Sequence, residues 1–190
     1  MSGQVYGRAG TSLAADTRWA RNAGTVGAGR RGEANTAAIL DAVARSSEMS
    51  VLHDVRIPIP GMRLNIDHIA VAGKTVLLID SKLWKPGFLW TFRGHTRRGR
   101  DSFDACDKRT VQMAHEAFCS YLAGYGARFA CPVVAVWPSR DAGKVSTWAA
   151  TFPAAVLLPG HKLERHVRRA LPVHDPADPA LVTRIRALVV

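Results

Sequence analysis

Few cysteines and no long apolar run limit the classes of protein to which this chain can belong. The 190 residues contain three cysteines, Cys106, Cys119 and Cys131, and no Cys-x-x-Cys pair. An odd, widely spaced set of this kind indicates neither a disulfide framework nor a zinc knuckle. No segment reaches the ~18 consecutive apolar residues of a membrane-spanning helix, and the N-terminus lacks the apolar centre of a signal peptide. These absences predict a cytoplasmic location and no membrane partner.

Acidic residues are scarce relative to basic ones. Asp and Glu number 15 against 26 Lys and Arg, which gives a formal net charge of +11. Such an excess favours binding to polyanions, so DNA is the expected partner and RNA an alternative. The length and the 47% hydrophobic content suit one domain with a sizeable core. A homodimer is left open.

The apolar run at residues 75–82 predicts a buried strand that ends in charged residues. The run is short, rich in β-branched residues and introduced by Gly73. Because side chains alternate faces along a strand, Asp80 and Lys82 share one face.

A second acidic residue is predicted to lie beside this pair. Residues 64–71 are also strand-like, and the few residues that follow suffice for a hairpin that lays the two strands antiparallel. Asp67 can then lie next to Asp80. Two carboxylates this close repel each other unless a proton or a cation lies between them, and hard oxygen ligands suit Mg²⁺ or Mn²⁺. The ordinary alternative is a solvated strand end with no ligand.

A third carboxylate precedes these strands. After Gly32 the composition is helical, and Glu33, Ala37, Leu40 and Ala44 form one stripe at helical spacing. A carboxylate on a buried stripe is costly unless it is paired or ligates a metal. Glu33 also has an ordinary explanation, since an acid in the first helical turn interacts favourably with the helix dipole.

Four segments together resemble the nuclease-related domain (NERD) family of the PD-(D/E)xK nuclease-like superfamily. These are Gly32-Glu33 at the start of a helix, residues 51–58, residues 66–71 and residues 78–87, in the order of the family. The resemblance covers roughly residues 30 to 137. It implies a restriction-endonuclease-like α/β fold and a catalytic set formed by Glu33, Asp67, Asp80 and Lys82, with Gln112 resembling a glutamine on the helix after the core strands.

The resemblance implies a Mg²⁺- or Mn²⁺-dependent deoxyribonuclease. Asp67 and Asp80 would bind the metal, the Ser81 carbonyl and Glu33 would complete its shell, and Lys82 would assist the attacking water. Gln112 would orient water or touch a phosphate, unless it is an ordinary exposed helix residue. Two alternatives remain open: a nucleic-acid-binding module without turnover, and a structural protein in which Asp80 and Lys82 only form an ion pair, which stabilises by ~0–1 kcal/mol when exposed.

Residues 84–109 are dense in aromatic and basic side chains. Arginines clamp phosphates bidentately and aromatic rings stack on unpaired bases, so this mixture suits backbone contact with some single-strand character. The alternative is a solvated basic loop whose tryptophans pack on the sheet. The predicted nucleic-acid contacts are Trp84, Lys85, Arg93, Arg97, Arg98 and Arg100.

Three regions are predicted along the chain. Residues 1–30, rich in Gly, Ala and Arg, predict a flexible basic arm. Residues 31–155 predict the nuclease core, in the order helix, three-stranded meander, helix, strand. Residues 156–190 predict a C-terminal helical extension packed on the core, its last helix capped by Asp178.

Overall fold

A computed structural model describes residues 3–11, 23–106, 109–140 and 142–190, with the backbone alone for residues 23–28. The α-helices in the described residues are α1 (Ala23–Arg45), α2 (Thr110–Tyr121), α3 (Leu163–Ala170) and α4 (Pro179–Arg186). The strands are β1 (Val5–Tyr6), β2 (Ser50–Arg56), β3 (Asn65–Ala72), β4 (Thr75–Trp84), β5 (Gly87–Phe92), β6 (His95–Arg98), β7 (Asp101–Ser102), β8 (Arg128–Phe129), β9 (Val133–Pro138), β10 (Val145–Ala149) and β11 (Val156–Pro159). None of the described helices is long and apolar enough to cross a membrane.

The larger sheet carries the predicted core. Its strand order is β1-β2-β3-β4-β9-β11, and β8 pairs with β4 beside this path. Strands β2, β3 and β4 form an antiparallel meander, whereas β9 and β11 continue the sheet in parallel with β4. With α1 before the meander and α2 before β9, the order is helix, meander, helix, strand. The fold is the predicted nuclease-like α/β fold.

Helices cover both faces of this sheet, which explains why β3 and β4 read as nearly continuous apolar runs. On one face, Leu40 and Val43 of α1 and Leu163 and Val167 of α3 pack against the sheet. On the other, α2 and α4 supply a second apolar cluster, whose buried helix residues are Ala114, Phe118, Leu181, Val182 and Ile185. Burial on both sides fixes the strand register, because a slip of one residue would exchange the two faces.

A second sheet contains most of the basic and aromatic segment at residues 84–109, so this segment is not the solvated loop of the alternative interpretation. Its order is β10-β5-β6-β7. The β5–β6 hairpin turns at Arg93 and Gly94, whose φ angles of 48° and 80° are both positive, as a two-residue type I′ turn requires. Strand β10 pairs in parallel with β5 and forms the other edge of this second sheet.

The N-terminal residues differ from the predicted flexible arm. Strand β1 pairs in parallel with β2, and α1 is already helical at Ala23. The part of the predicted arm at residues 1, 2 and 12–22 lies outside the described residues.

The C-terminal residues differ from the predicted extension in one respect. They contribute β11 to the main sheet as well as helices. Asp178 caps α4 as predicted, since its side chain accepts hydrogen bonds from the N–H groups of Ala180 and Leu181. The chain then ends against the core, because the Val190 N–H donates to the Asp54 carbonyl.

Candidate metal-dependent active site

Asp67 and Asp80 meet where β3 and β4 stop pairing. The register joins His68 to Ile79, so the next position along each strand brings Asp67 beside Asp80. The backbone N–H of Ser81 donates a hydrogen bond of 2.6 Å to Asp67 Oδ2. The predicted juxtaposition of the two acids is therefore present, and main-chain geometry holds one of them in place.

Asp80 contains a buried carboxylate oxygen that is paired with Lys82. The residue is 6% exposed, and Lys82 Nζ lies 2.5 Å from its Oδ2. Lys82 is thus the charged partner of this oxygen, and a hydrogen bond to Asp80 contributes to the raised pKa of Lys82. A buried carboxylate oxygen is costly unless a cation neutralises it. Lys82 supplies one positive charge to a group that also contains Asp67 and Glu33.

Glu33 is a buried residue inside α1, not a residue of its first turn. The helix reaches back to Ala23, and its first turn contains no acid. The helix-dipole explanation therefore fails. Burial and the Asp54 and Asp80 carboxylates raise the pKa of Glu33 from 4.5 to about 7, although Lys82 and a backbone hydrogen bond from Gly10 oppose the change.

The closeness of these carboxylates also changes the pKa values of Asp67 and Lys82. Burial raises the pKa of Asp67 well above its usual value, and Asp80 and Glu33 add to this effect against the opposition of Lys82 and the Ser81 N–H. For Lys82, burial lowers the pKa, but the three carboxylates outweigh burial and the net pKa is raised. The cluster formed by Glu33, Asp67, Asp80 and Lys82 thus needs either extra protons or a divalent cation to be stable at neutral pH.

The donor set fits a hard cation that keeps most of its water. Among the described residues, no three His, Cys, Asp or Glu side chains come close enough to enclose a metal by themselves. Mg²⁺ is commonly held by one or two carboxylates together with waters and substrate phosphates. Asp67 and Asp80, which lie beside each other on neighbouring strands, provide such a pair.

A buried chain of polar side chains supports Ser81 from behind. His53 Nε2 lies 2.9 Å from Asp41 Oδ1, and His53 Nδ1 lies 2.7 Å from His68 Nδ1. His68 Nε2 in turn lies 3.1 Å from Ser81 Oγ. Burial and the neighbouring His53 lower the pKa of His68 well below its usual value, so this ring is neutral. One of the facing Nδ1 atoms must donate and the other accept, which requires complementary protonation of the two rings.

The series of hydrogen-bonded polar side chains continues from Ser81 to residues of α1 and β9. The Ser81 hydroxyl donates to Thr36 Oγ1 at 2.8 Å, and the Trp137 indole N–H donates to the same oxygen at 2.9 Å. Because Ser81 also holds Asp67, these bonds fix α1 and β9 against the strand that carries Asp80 and Lys82. Sequence reasoning missed Asp41, His53, Thr36 and Trp137. The only local signal was the position of His53 in the strand beside Asp67.

Asp54 is a further carboxylate that the sequence did not single out. It is buried, and its φ of 54° is unusual for a residue other than glycine. Asn65 Nδ2 donates to its Oδ1 at 2.7 Å. The β2–β3 pairing keeps one register on both sides of Asp54, and the charge of Asp54 helps to raise the pKa of Glu33.

The remaining predicted catalytic residue lies apart from these contacts. The Gln112 amide donates to Glu116 Oε1, one turn later on α2, at 3.0 Å. This bond between neighbours on a helix surface corresponds to the ordinary interpretation of Gln112.

The predicted nucleic-acid contacts fall on both sides of the second sheet. Arg93 and Arg97 are exposed and lie over the rings of Phe92 and Trp90, at 5.3 and 5.9 Å. Arg100 and Lys85 are also exposed. Arg98 instead lies over Phe103, which packs edge-on against Trp84. Trp84 is buried, so its ring packs in the core and is not available for stacking on a base.

Comparison with known proteins agrees with this geometry. The family model described as the nuclease-related domain, NERD, matches residues 28–136, more than half of the chain, and this range contains Glu33, Asp67, Asp80 and Lys82. No curated protein and no solved structure shows a detectable similarity to the chain. The chain belongs to the nuclease-related domain family.

Proposed function

We propose that the protein is a metal-dependent nuclease that hydrolyses DNA phosphodiester bonds and acts in the cytoplasm. The observation that carries this proposal is the cluster of buried carboxylates, in which Asp67 lies beside Asp80 and Lys82 is the cation paired with Asp80. Family membership supports a nuclease-related function, and the net charge of +11 favours a polyanionic substrate.

Asp67 and Asp80 would hold Mg²⁺ or Mn²⁺, with the Ser81 carbonyl as a further ligand. Glu33 would complete the shell through a bound water, because no three carboxylate side chains of the described residues lie close enough to bind a metal together. When bound, such an ion activates water and neutralises charge that develops on the phosphate. The residues of the chain have distinct tasks around it. Lys82 places an ammonium group where it orients the attacking water and stabilises the charged transition state. The pKa of Glu33 is about 7 without metal, and the positive charge of a bound ion would lower this pKa, so that Glu33 would be ionised in the loaded site.

A second candidate function is a nucleic-acid-binding module without turnover. One observation favours it: Lys82 Nζ already lies 2.5 Å from Asp80 Oδ2 and neutralises part of its charge without a metal. In that case Lys82 and Asp80 form a structural ion pair, and the basic surface alone provides the function. Metal is then dispensable for binding.

Nicking of supercoiled plasmid and cutting of labelled single-stranded DNA test the proposal. Purified wild type is incubated with Mg²⁺, Mn²⁺ or EDTA beside Asp80→Asn and Lys82→Ala, with Glu164→Gln as the control because Glu164 is an exposed acid on α3. We expect cleavage by wild type and by the control only with metal, and none by the two site variants when both are folded. Metal-independent binding without cleavage on every substrate would support the binding module instead.

A further inference from the structure

The outer face of the second sheet is lined by aromatic side chains that the fold leaves uncovered. Phe88, Trp90 and Phe92 alternate along β5 with Leu89 and Thr91, so the three rings share one face. Leu89 on the opposite face is buried in an apolar cluster. The three rings therefore point away from the core.

Trp148 of β10 joins this face from a distant part of the chain. Its ring lies 5.4 Å from that of Phe88, with an angle of 36° between their planes. Trp148 is 82% exposed, Phe92 61% and Phe88 39%. Exposed aromatic residues that gather on one surface mark a binding site more often than chance exposure does. We call Phe88, Trp90, Phe92 and Trp148 the aromatic face.

Basic side chains border the aromatic face where a phosphate backbone would run. Trp90 pairs across the strands with Arg97, and Phe92 pairs with His95. The Arg97 guanidinium lies over the Trp90 ring, and its Nη1 donates to the Arg100 carbonyl at 3.2 Å. Alternating rings and cations are the arrangement that binds single strands, because rings stack on bases while cations contact phosphates.

An open cleft of about 730 Å³ adjoins the aromatic face. Trp148 contributes to its lining together with Lys144, His161 and Lys162, and none of the described lining residues is acidic. Trp137 also lines the cleft, and its indole donates to Thr36 in the polar chain behind Ser81. The cleft thus extends from Trp148 of the aromatic face to Trp137, whose hydrogen-bond partner Thr36 also binds Ser81.

The aromatic face is also close to the active site along the chain. Lys82 and Phe88 are six residues apart, and an extended chain of that length spans at most about 20 Å. A strand lying on the face would therefore reach the carboxylates within a few nucleotides.

We propose that the aromatic face binds an unpaired segment of nucleic acid and guides it to the carboxylate site. Bases stack on Trp148 and Phe88, while Arg97 contacts the backbone. Paired bases are stacked within their duplex and offer no free ring faces, so the single-stranded form is the preferred substrate. This inference rests on the proposed nucleic-acid substrate, but binding tests it separately from cleavage.

The test is fluorescence anisotropy with a labelled oligothymidylate, an abasic oligomer of equal length and a duplex, all in EDTA so that no strand is cut. We expect Trp148→Ala to weaken oligothymidylate binding about tenfold, equivalent to about 1.4 kcal/mol. Trp148→Phe retains a ring and should recover most of the affinity. The abasic strand should bind wild type and Trp148→Ala equally weakly, because it has no base to stack.

Tyr125→Ala is the matched control, since Tyr125 is an exposed aromatic residue outside the second sheet. It should leave binding of every oligomer unchanged. Equal affinity of wild type and Trp148→Ala for oligothymidylate would overturn the inference, even if plasmid nicking showed an active nuclease. Loss of self-association in Trp148→Ala without loss of strand affinity would assign the face to a second copy of the chain. A non-cleaving protein whose strand binding depends on Trp148 would support the inference and contradict only the proposed catalysis.

Discussion

Replacing Glu33 by glutamine should stabilise the metal-free protein, although it removes a residue of the proposed active site. The wild-type carboxyl group is buried near Asp54, Asp67 and Asp80, and its pKa is raised from 4.5 to about 7. Glutamine has nearly the same shape and carries no charge. The substitution therefore removes the cost of ionising Glu33 inside the fold.

The size and sign of the effect follow from the pKa. Because the folded state holds the proton more tightly than the unfolded state, the wild type loses stability as pH rises from about 4.5 to about 7. A rise from 4.5 to about 7 corresponds to about 3 kcal/mol, at about 1.4 kcal/mol per pH unit. Glu33→Gln should match wild type near pH 4 and exceed it by about 1–3 kcal/mol at pH 8, since loss of the attraction between Glu33 and Lys82 offsets part of the gain.

Urea unfolding in EDTA between pH 4 and pH 8 measures this difference. Glu164→Gln is the control, because Glu164 is exposed and pairs only with Arg168 on its own helix. Its free energy of unfolding should stay within about 0.5 kcal/mol of wild type at every pH. A difference between Glu33→Gln and wild type that does not change with pH would refute the reasoning, because it would show that Glu33 is not held in a crowded acidic site.

Three further substitutions test separate parts of the structure. Lys82→Ala should slow DNA cleavage by at least about 100-fold while Mn²⁺ affinity, measured by calorimetry, stays equal or improves, since a competing positive charge is removed. His53→Ala leaves His68 Nδ1 and Asp41 without their shared partner, so urea unfolding should show a loss of about 1–3 kcal/mol. Gly160→Ala places a methyl group 2.3 Å from the Trp137 ring, so thermal unfolding should show a loss of about 1–3 kcal/mol.

The sequence was sufficient to predict the Asp67, Asp80 and Lys82 arrangement because local rules determine it. Strand alternation places Asp80 and Lys82 on one face, and the hairpin at Gly73 aligns β3 with β4. Both rules depend only on residues near one another in the chain.

The start of α1 could not be predicted in the same way. Its first turns contain Gly24, Gly27 and Gly29, and glycine disfavours an isolated helix by about 1 kcal/mol per residue. Tertiary packing overrides this preference, since the later part of α1 buries Leu40 and Val43 against the sheet. The early start of the helix is what moves Glu33 out of the first turn and excludes its dipole explanation.

The second sheet and the polar chain depend on contacts between distant residues. Strand β6 is so rich in charged residues that the alternation of polar and apolar side chains typical of a strand is not visible in its sequence. The ring that packs against Phe88 belongs to Trp148, 60 residues later in the chain. Likewise, His53 meets Asp41 only because α1 packs on β2 and β3 in one orientation. Such contacts depend on how whole helices and strands pack against each other. The pattern of residues in a single sequence contains little information about that packing.

Titration of the protein with Mn²⁺ by isothermal calorimetry tests the central claim most directly, namely that Asp67 and Asp80 hold a divalent ion together. Wild type, Asp67→Asn, Asp80→Asn and the control Glu164→Gln are compared at pH 8 without DNA. We expect saturable binding to wild type and to the control, and at least tenfold weaker binding to each aspartate variant. Equal Mn²⁺ affinity in all four proteins, or no binding to any of them, would contradict a metal site between these two residues.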